Sequence, residues 1–230
     1  MAIHKPNNWC LLVSILTLLL TLPLVPARVA AQGSDTAYSV LHSFGDGSVA
    51  NDGNIPFSGL TLGSDNNFYG TTLRGGSTIA ADPVGQGFGT VFKMTPAGVV
   101  TILHSFGDGS VANDGANPQA ALIQGTDGNF YGTTIGGGLV GAGTVFKMTP
   151  AGVMTILHSF QDGSVAGDGA DPQGALIQGT DGNFYGTTVY GGSVGGGVIF
   201  TIAPDGTYTI LHTFGDGTVA GDGINPYAAL

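Results

Sequence analysis

The stretch LIQGTDGNFYGTTIGGGLVGAGTVFKMTPAGVMTILHSF, Leu122–Phe160, decides the fold. With Ala120 and Ala121 before it, it reads as four short strands: Ala120–Gln124, Asn129–Ile135, Thr144–Thr149 and Val153–Phe160. Each is rich in β-branched and aromatic residues and is bounded by turn formers. Asp127-Gly128 marks a tight hairpin, because such residues accept positive φ. Pro150-Ala151-Gly152 marks a second one, with proline pre-setting φ. Gly136–Gly143 links the middle two strands. No segment shows the i, i+3, i+4 apolar stripe of a helix.

This unit is copied along the chain. The word LHSF begins at Leu41, Leu103 and Leu157, and its variant LHTF at Leu211. Leu103–Ile135 and Leu157–Val189 differ at five of 33 positions: Gly107/Gln161, Asn113/Gly167, Asn117/Asp171, Ala120/Gly174 and Ile135/Val189. Four antiparallel strands in about 50 residues match one propeller blade. The expected fold is therefore all-β, built of tandem four-stranded blades in a propeller-like array. The rival is a β-solenoid, which needs parallel stacking and a shorter period; the hairpin signals favour the blade.

The repeated words, at 122–160 and echoed at 176–214 and 60–106, resemble the GloVer tandem repeat of bacterial choice-of-anchor surface proteins. The resemblance implies export, a propeller-type array and a C-terminal surface anchor of variable type. It implies no activity, and no anchor is visible in this sequence. Full repeats are expected at about 56–106, 118–160 and 172–214, with Tyr38–Phe44 as a lone fourth strand. Asn225–Leu230 aligns with Asn117–Leu122 and reads as the start of a fourth blade. Three blades are fewer than usual propellers contain. The sequence is therefore expected to be truncated, with further blades or another chain needed to close the array.

Composition bounds the function. Of 230 residues 42 are glycine, charged residues make up only 9%, and the formal charge is −10. That charge balance excludes a Lys/Arg-driven nucleic-acid binder, and the scarcity of charged residues excludes helical bundles and coiled coils. Residues 1–31 read as a signal peptide: a weakly basic start, an apolar run at Leu11–Val25, and Val29 and Ala31 suited to the −3 and −1 positions of a cleavage site before Gln32. A membrane anchor is the competing reading, but fifteen apolar-run residues containing Pro23 fall short of the roughly 20 needed to span. Residues 32–37 are a short linker. Cys10 would leave with the signal, so the mature chain would carry no disulfide and no thiolate site. The expected location is secreted or cell-surface, with no transmembrane span after cleavage.

The most distinctive polar element is the acidic connection between copies, GDGSVANDGANP at 107–118 and its counterparts at 45–56, 161–172 and 215–226. Asp108, Asn113, Asp114 and Asn117 offer clustered oxygens of the kind Ca²⁺ takes, and the same residues are also ordinary turn formers. The spacing is not that of an EF-hand. His42, His104, His158 and His212 recur once per copy and would lie on the outermost strand as ordinary rim residues. Arg74 and Asp82, in the longer first Gly-rich link, are the candidates for a unique ligand contact. Phe68-Tyr69, Phe130-Tyr131 and Phe184-Tyr185 are expected to place one ring of each pair in the inter-blade core. The G-x-S-x-G at Gly191–Gly195 and the G-x-G-x-x-G at Gly136–Gly141 lack the following helix that their chemistry requires. The expectation is an exported non-enzymatic β-repeat protein, a surface scaffold or recognition and adhesion module. The alternative is a carbohydrate-binding or carbohydrate-active propeller, a glycosidase or lyase whose acid and base would be aspartates.

Overall fold

The computed structural model describes residues 38–77 and 86–230. The signal-peptide reading, the linker and Asp82 fall outside them. Among the described residues no helix is long and apolar enough to cross a membrane.

Val40–Leu230 is one compact unit, and it is all-β. The strands in chain order are β1 (Thr61–Leu62), β2 (Phe68–Thr72), β3 (Thr90–Met94), β4 (Val100–Ser105), β5 (Gly115–Ala116), β6 (Ile123–Gln124), β7 (Phe130–Thr134) and β8 (Gly136–Gly137). They continue with β9 (Thr144–Met148), β10 (Met154–Ser159), β11 (Gly169–Ala170), β12 (Ile177–Gln178), β13 (Phe184–Thr188), β14 (Tyr190–Gly191), β15 (Val198–Ile202) and β16 (Tyr208–Thr213). Three antiparallel four-stranded sheets result, ordered β1-β2-β3-β4, β6-β7-β9-β10 and β12-β13-β15-β16. One sheet corresponds to each full copy.

The first strand of each sheet is shorter than its sequence suggests, two residues where Ala120–Gln124 offers five. The Ala120 and Leu122 carbonyls instead accept from the Thr71 and Thr61 hydroxyls of the preceding sheet. Gly115 and Ala116 pair with Gly137 and Gly136, and Gly169 and Ala170 pair with Gly191 and Tyr190. In the first copy the same contact is the single bridge Asn54–Arg74. These ribbons tie the incoming connection of a sheet to its own Gly-rich link.

Tyr38–Phe44 differs from expectation too, since it pairs with no strand. Leu41 nevertheless sits where a fourth strand of a preceding sheet would lie. A Cβ on Gly98 would meet its carbonyl, just as Cβ atoms on Gly152 and Gly206 would meet those of Leu103 and Leu157.

Packing between sheets explains the aromatic pairs. In the middle sheet both rings are buried, because alternate residues of β7 face the two neighbouring sheets. Tyr69 stacks on Phe130 at 3.9 Å between centroids, and Tyr131 on Phe184 at 3.8 Å. Such stacks are worth about 0.5–1.5 kcal/mol beyond the area they bury. Around them lie Val91, Phe106, Leu122, Phe146, Met148 and Met154 at the first junction. Tyr131, Phe160, Leu176, Phe200 and Ile202 repeat the arrangement at the second. The third residue of each F-Y-G-T-T strand is glycine because the phenyl ring across the ladder needs its place. A Cβ on Gly132 would lie 2.6 Å from Phe146 Cζ.

Candidate functional site

Two polar systems recur at opposite ends of every sheet. At the end carrying the β1–β2 type of turn, Asp127 accepts from the Asn129 backbone and side-chain amides at 3.1 and 2.8 Å and from the Tyr131 hydroxyl at 2.8 Å. Lys147 adds an ion pair at 3.0 Å. Burial opposes the charge on Asp127, but these donors outweigh it and hold its carboxyl well below the usual range. Asp65 binds Asn67 and Tyr69 the same way, and burial followed by the Asp65 contact pushes Tyr69 up to about 12. Asp181 binds Asn183 and Tyr185, with Thr201 standing where the other sheets have lysine. The tyrosine hydroxyls are thus engaged by turn carboxylates, and Tyr69 and Tyr131 are buried.

The other end gathers the Gly-rich links and the acidic connections. The Asn117 amide donates to Phe88 O at 2.7 Å and the Gly138 amide to Asp114 O at 2.9 Å. The four histidines organise this end. Each Nε2 lies 2.8–2.9 Å from an aspartate ten residues later: His42–Asp52, His104–Asp114, His158–Asp168 and His212–Asp222. The aspartate also accepts from the backbone at the start of its loop, as Asp114 does from Gly107 N at 3.1 Å. The His104 ring meets Phe106 edge to face at 5.0 Å. His104 and His158 are buried, so they are staples of the connection rather than ordinary rim residues. The i, i+10 recurrence of His and Asp in all four copies is the sequence signal for them.

Two clefts open beside the staples. One, of 280 Å³, is lined by His104, Ser105 and Asp108 with Ala50 and Asn51 from the preceding connection. The other, of 430 Å³, is lined by His158, Ser159, Asp162 and Tyr208. Tyr208 replaces the Val100 and Met154 of the other sheets, and its ring stacks on His158 at 3.9 Å. Burial, then Asp168, pushes its phenol far up.

Of the four oxygen-bearing candidates, Asp108 and Asp114 come together, and their partner is His104, with ligand atoms within 4.8 Å of one another. Among the described residues these three could share a cation. Asn113 and Asn117 take left-handed backbone positions at φ 52° and 57°. The Asn117 side chain donates to Leu73 O at 3.1 Å instead.

Arg74 stands in the ribbon of the first sheet, bridged to Asn54. Its counterparts in the other sheets are Gly136 and Tyr190, the least alike of any set in the ribbons. Opposite each of them the next connection brings a second changeable residue. Asn117 binds Leu73 O and Asn225 Nδ2 binds Val189 O at 2.8 Å, which sets Gln119 near Arg74 and Tyr227 near Tyr190. In the aligned copies the corresponding positions are Arg74 with Gln119, Gly136 with Gln173, and Tyr190 with Tyr227, the asparagine bond being made at the first and third. This variable row at the connection end is the candidate functional surface. Sequence reasoning found Arg74 in it but missed the tyrosines.

A family model described as the Gloeobacter/Verrucomicrobia repeat matches residues 29–230. No curated protein matches the chain. Among solved structures it is similar to a streptogramin B lyase, at 18% identity and a TM-score of 0.43 over 71% of this chain and 41% of that one. It is also similar to a protein of unknown function from Dyadobacter fermentans, at 11% identity and a TM-score of 0.43 over 65% and 48% of the two chains. A luciferin-regenerating enzyme is similar at 16% and 0.39, over 67% and 44%. The chain spans less than half the length of each of these structures.

Proposed function

The chain belongs to the Gloeobacter/Verrucomicrobia repeat family, and from that premise we propose that it is an exported, non-enzymatic recognition module of the bacterial cell surface. One observation carries the reading. The hydrogen-bonded frame, His–Asp staples and Asp–Asn–Tyr turns alike, repeats from copy to copy, while one ribbon position at the connection end changes from a half-buried Arg74 to Gly136 to an exposed Tyr190. A constant frame with a changeable row is how a repeat scaffold displays a binding surface. The negative charge disfavours nucleic acid and anionic lipid as ligands. In this reading the sheets are blades of a propeller-like array. Further blades or another chain cover the forward side of the third sheet, where Leu211 and Val219 are exposed.

The test is location and capture together. Protease shaving of intact cells should remove the protein, and purified protein should bind isolated cell envelopes. Retention in the cytoplasm, or no envelope binding, would overturn the proposal. The carbohydrate-active alternative draws on the Tyr208–His158 cleft beside Asp168 and Asp162. Release of reducing ends from polysaccharides, abolished by Asp168→Asn, would favour that reading.

A further inference from the structure

Resting on the recognition reading, we infer that Tyr190 and Tyr227, with Asp171 beside them, form a subsite for a neutral saccharide. Hydrogen bonds on either side bring the two positions together. Asn225 Nδ2 donates to Val189 O at 2.8 Å, and the Thr187 hydroxyl donates to Ala228 O at 3.0 Å. Residues 190 and 227 are the immediate neighbours of these anchors. Tyr190 is 46% exposed and Tyr227 59%. The Tyr227 hydroxyl, then desolvation, and last Asp171 push the Tyr190 phenol up.

Their counterparts show what a further sheet would leave of the pair. At the two junctions where a following sheet is present, the counterparts Gln119, Gly136 and Gln173 remain half-exposed. A neighbour therefore covers this position in part without sealing it. Contiguous exposed aromatics of this kind mark binding surfaces more often than chance placement.

Asp171 supplies the second half of the chemistry. Its counterparts Asn117 and Asn225 spend their amide N–H on the carbonyls of Leu73 and Val189. A carboxylate cannot donate, so Asp171 is an acceptor without that bond, held next to Tyr190 by the Ala170–Tyr190 ribbon pair. Its backbone accepts from Val189 N at 3.2 Å, fixing it in place. A ligand suited to the group must bring hydroxyl donors for the carboxylate and an apolar face for the rings. It should carry no negative charge, given the chain's net −10. A sugar ring meets all three demands, one face presenting C–H groups and the edge presenting hydroxyls.

The test uses substitutions the repeat already tolerates. Tyr190→Gly and Tyr227→Gln install the residues found at the other junctions, so the double variant keeps the fold, to be verified by circular dichroism. Wild type and variant are titrated with neutral oligosaccharides (cello-, xylo-, manno- and chito-series), with uronic-acid oligosaccharides and with a trimethylammonium probe. The inference expects wild type to bind at least one neutral series and the double variant to lose at least tenfold in affinity. Undiminished affinity in the variant, or binding of only the acidic or cationic probes, overturns it. Envelope binding that persists in the double variant sinks this subsite while leaving the recognition reading intact. Absence of envelope binding by wild type sinks that reading itself.

Discussion

At Asp171 a carboxylate stands where neighbouring copies place an amide, and the local cost is legible. Asn117 and Asn225 each bond a main-chain carbonyl across the junction, whereas the equivalent carbonyl of Ile135 receives no donor from Asp171. Burial raises the Asp171 pKa. Asp171→Asn should restore the missing bond and stabilise the protein by about 1 kcal/mol, or about 2–4 °C in Tm by calorimetry at pH 7. Because the folded pKa lies above the unfolded one, the cost is complete above the folded value. It vanishes as pH falls to the unfolded value near 3.9. The advantage of the variant should therefore shrink between neutral pH and about pH 4. An advantage that is constant across that range would refute the assignment. Asp127 acts with the opposite sign. Its depressed pKa contributes stability above the unfolded value, and that contribution is lost on further acidification. A half-buried residue that forgoes the bond Asn117 and Asn225 make is what a functional substitution looks like physically.

At the scale of single elements, the second strand of each sheet sets the tightest constraint. Gly132 faces Phe146, with Leu122 Cδ2 2.8 Å from where its Cβ would lie, and both neighbours are buried. Gly132→Ala should cost about 1–3 kcal/mol by overpacking. Urea denaturation would read this as a lowered midpoint with unchanged slope, and an unchanged midpoint would show that the ring can give way. The strands themselves were legible because alternation and turn residues are local signals: FYGTT, TVFKM and TILHS all lie inside predicted segments. The shortened first strands were not, because the Ala120 and Leu122 carbonyls are claimed by threonine hydroxyls of the preceding sheet, 49 and 61 positions away. Nor were the staples, although His and Asp recur at a fixed interval. Reading each residue by type put histidine on an outer strand and aspartate in a turn, and only the folded connection joins them. Tyr190 and Tyr227 lie 37 positions apart. Their proximity depends on the side-chain bond from Asn225 across the junction, which no periodicity reports.

For the molecule as a whole, stability should be graded along the repeat. Tyr131 of the middle sheet is fully buried under Phe184, while its counterpart Tyr185 in the third sheet is half-exposed. The first sheet is covered on its outer rear side by Phe44 and Val49. Repeat proteins hold together through nearest-neighbour contacts, so a sheet with two neighbours opens less readily than one with a single neighbour. Amide exchange in this chain should be slowest in β7, β9 and β10 and faster in β13, β15 and β16. Equal protection across the three sheets would contradict a nearest-neighbour account. The stacked rings also fix a direction. Each sheet offers its tyrosine forward and receives its neighbour on a phenylalanine, so the two surfaces of one contact are different patches. Such a contact is heterologous, and two molecules cannot share it about a twofold axis. Any assembly built through it either closes on itself after a whole number of steps or grows without a natural end as a filament.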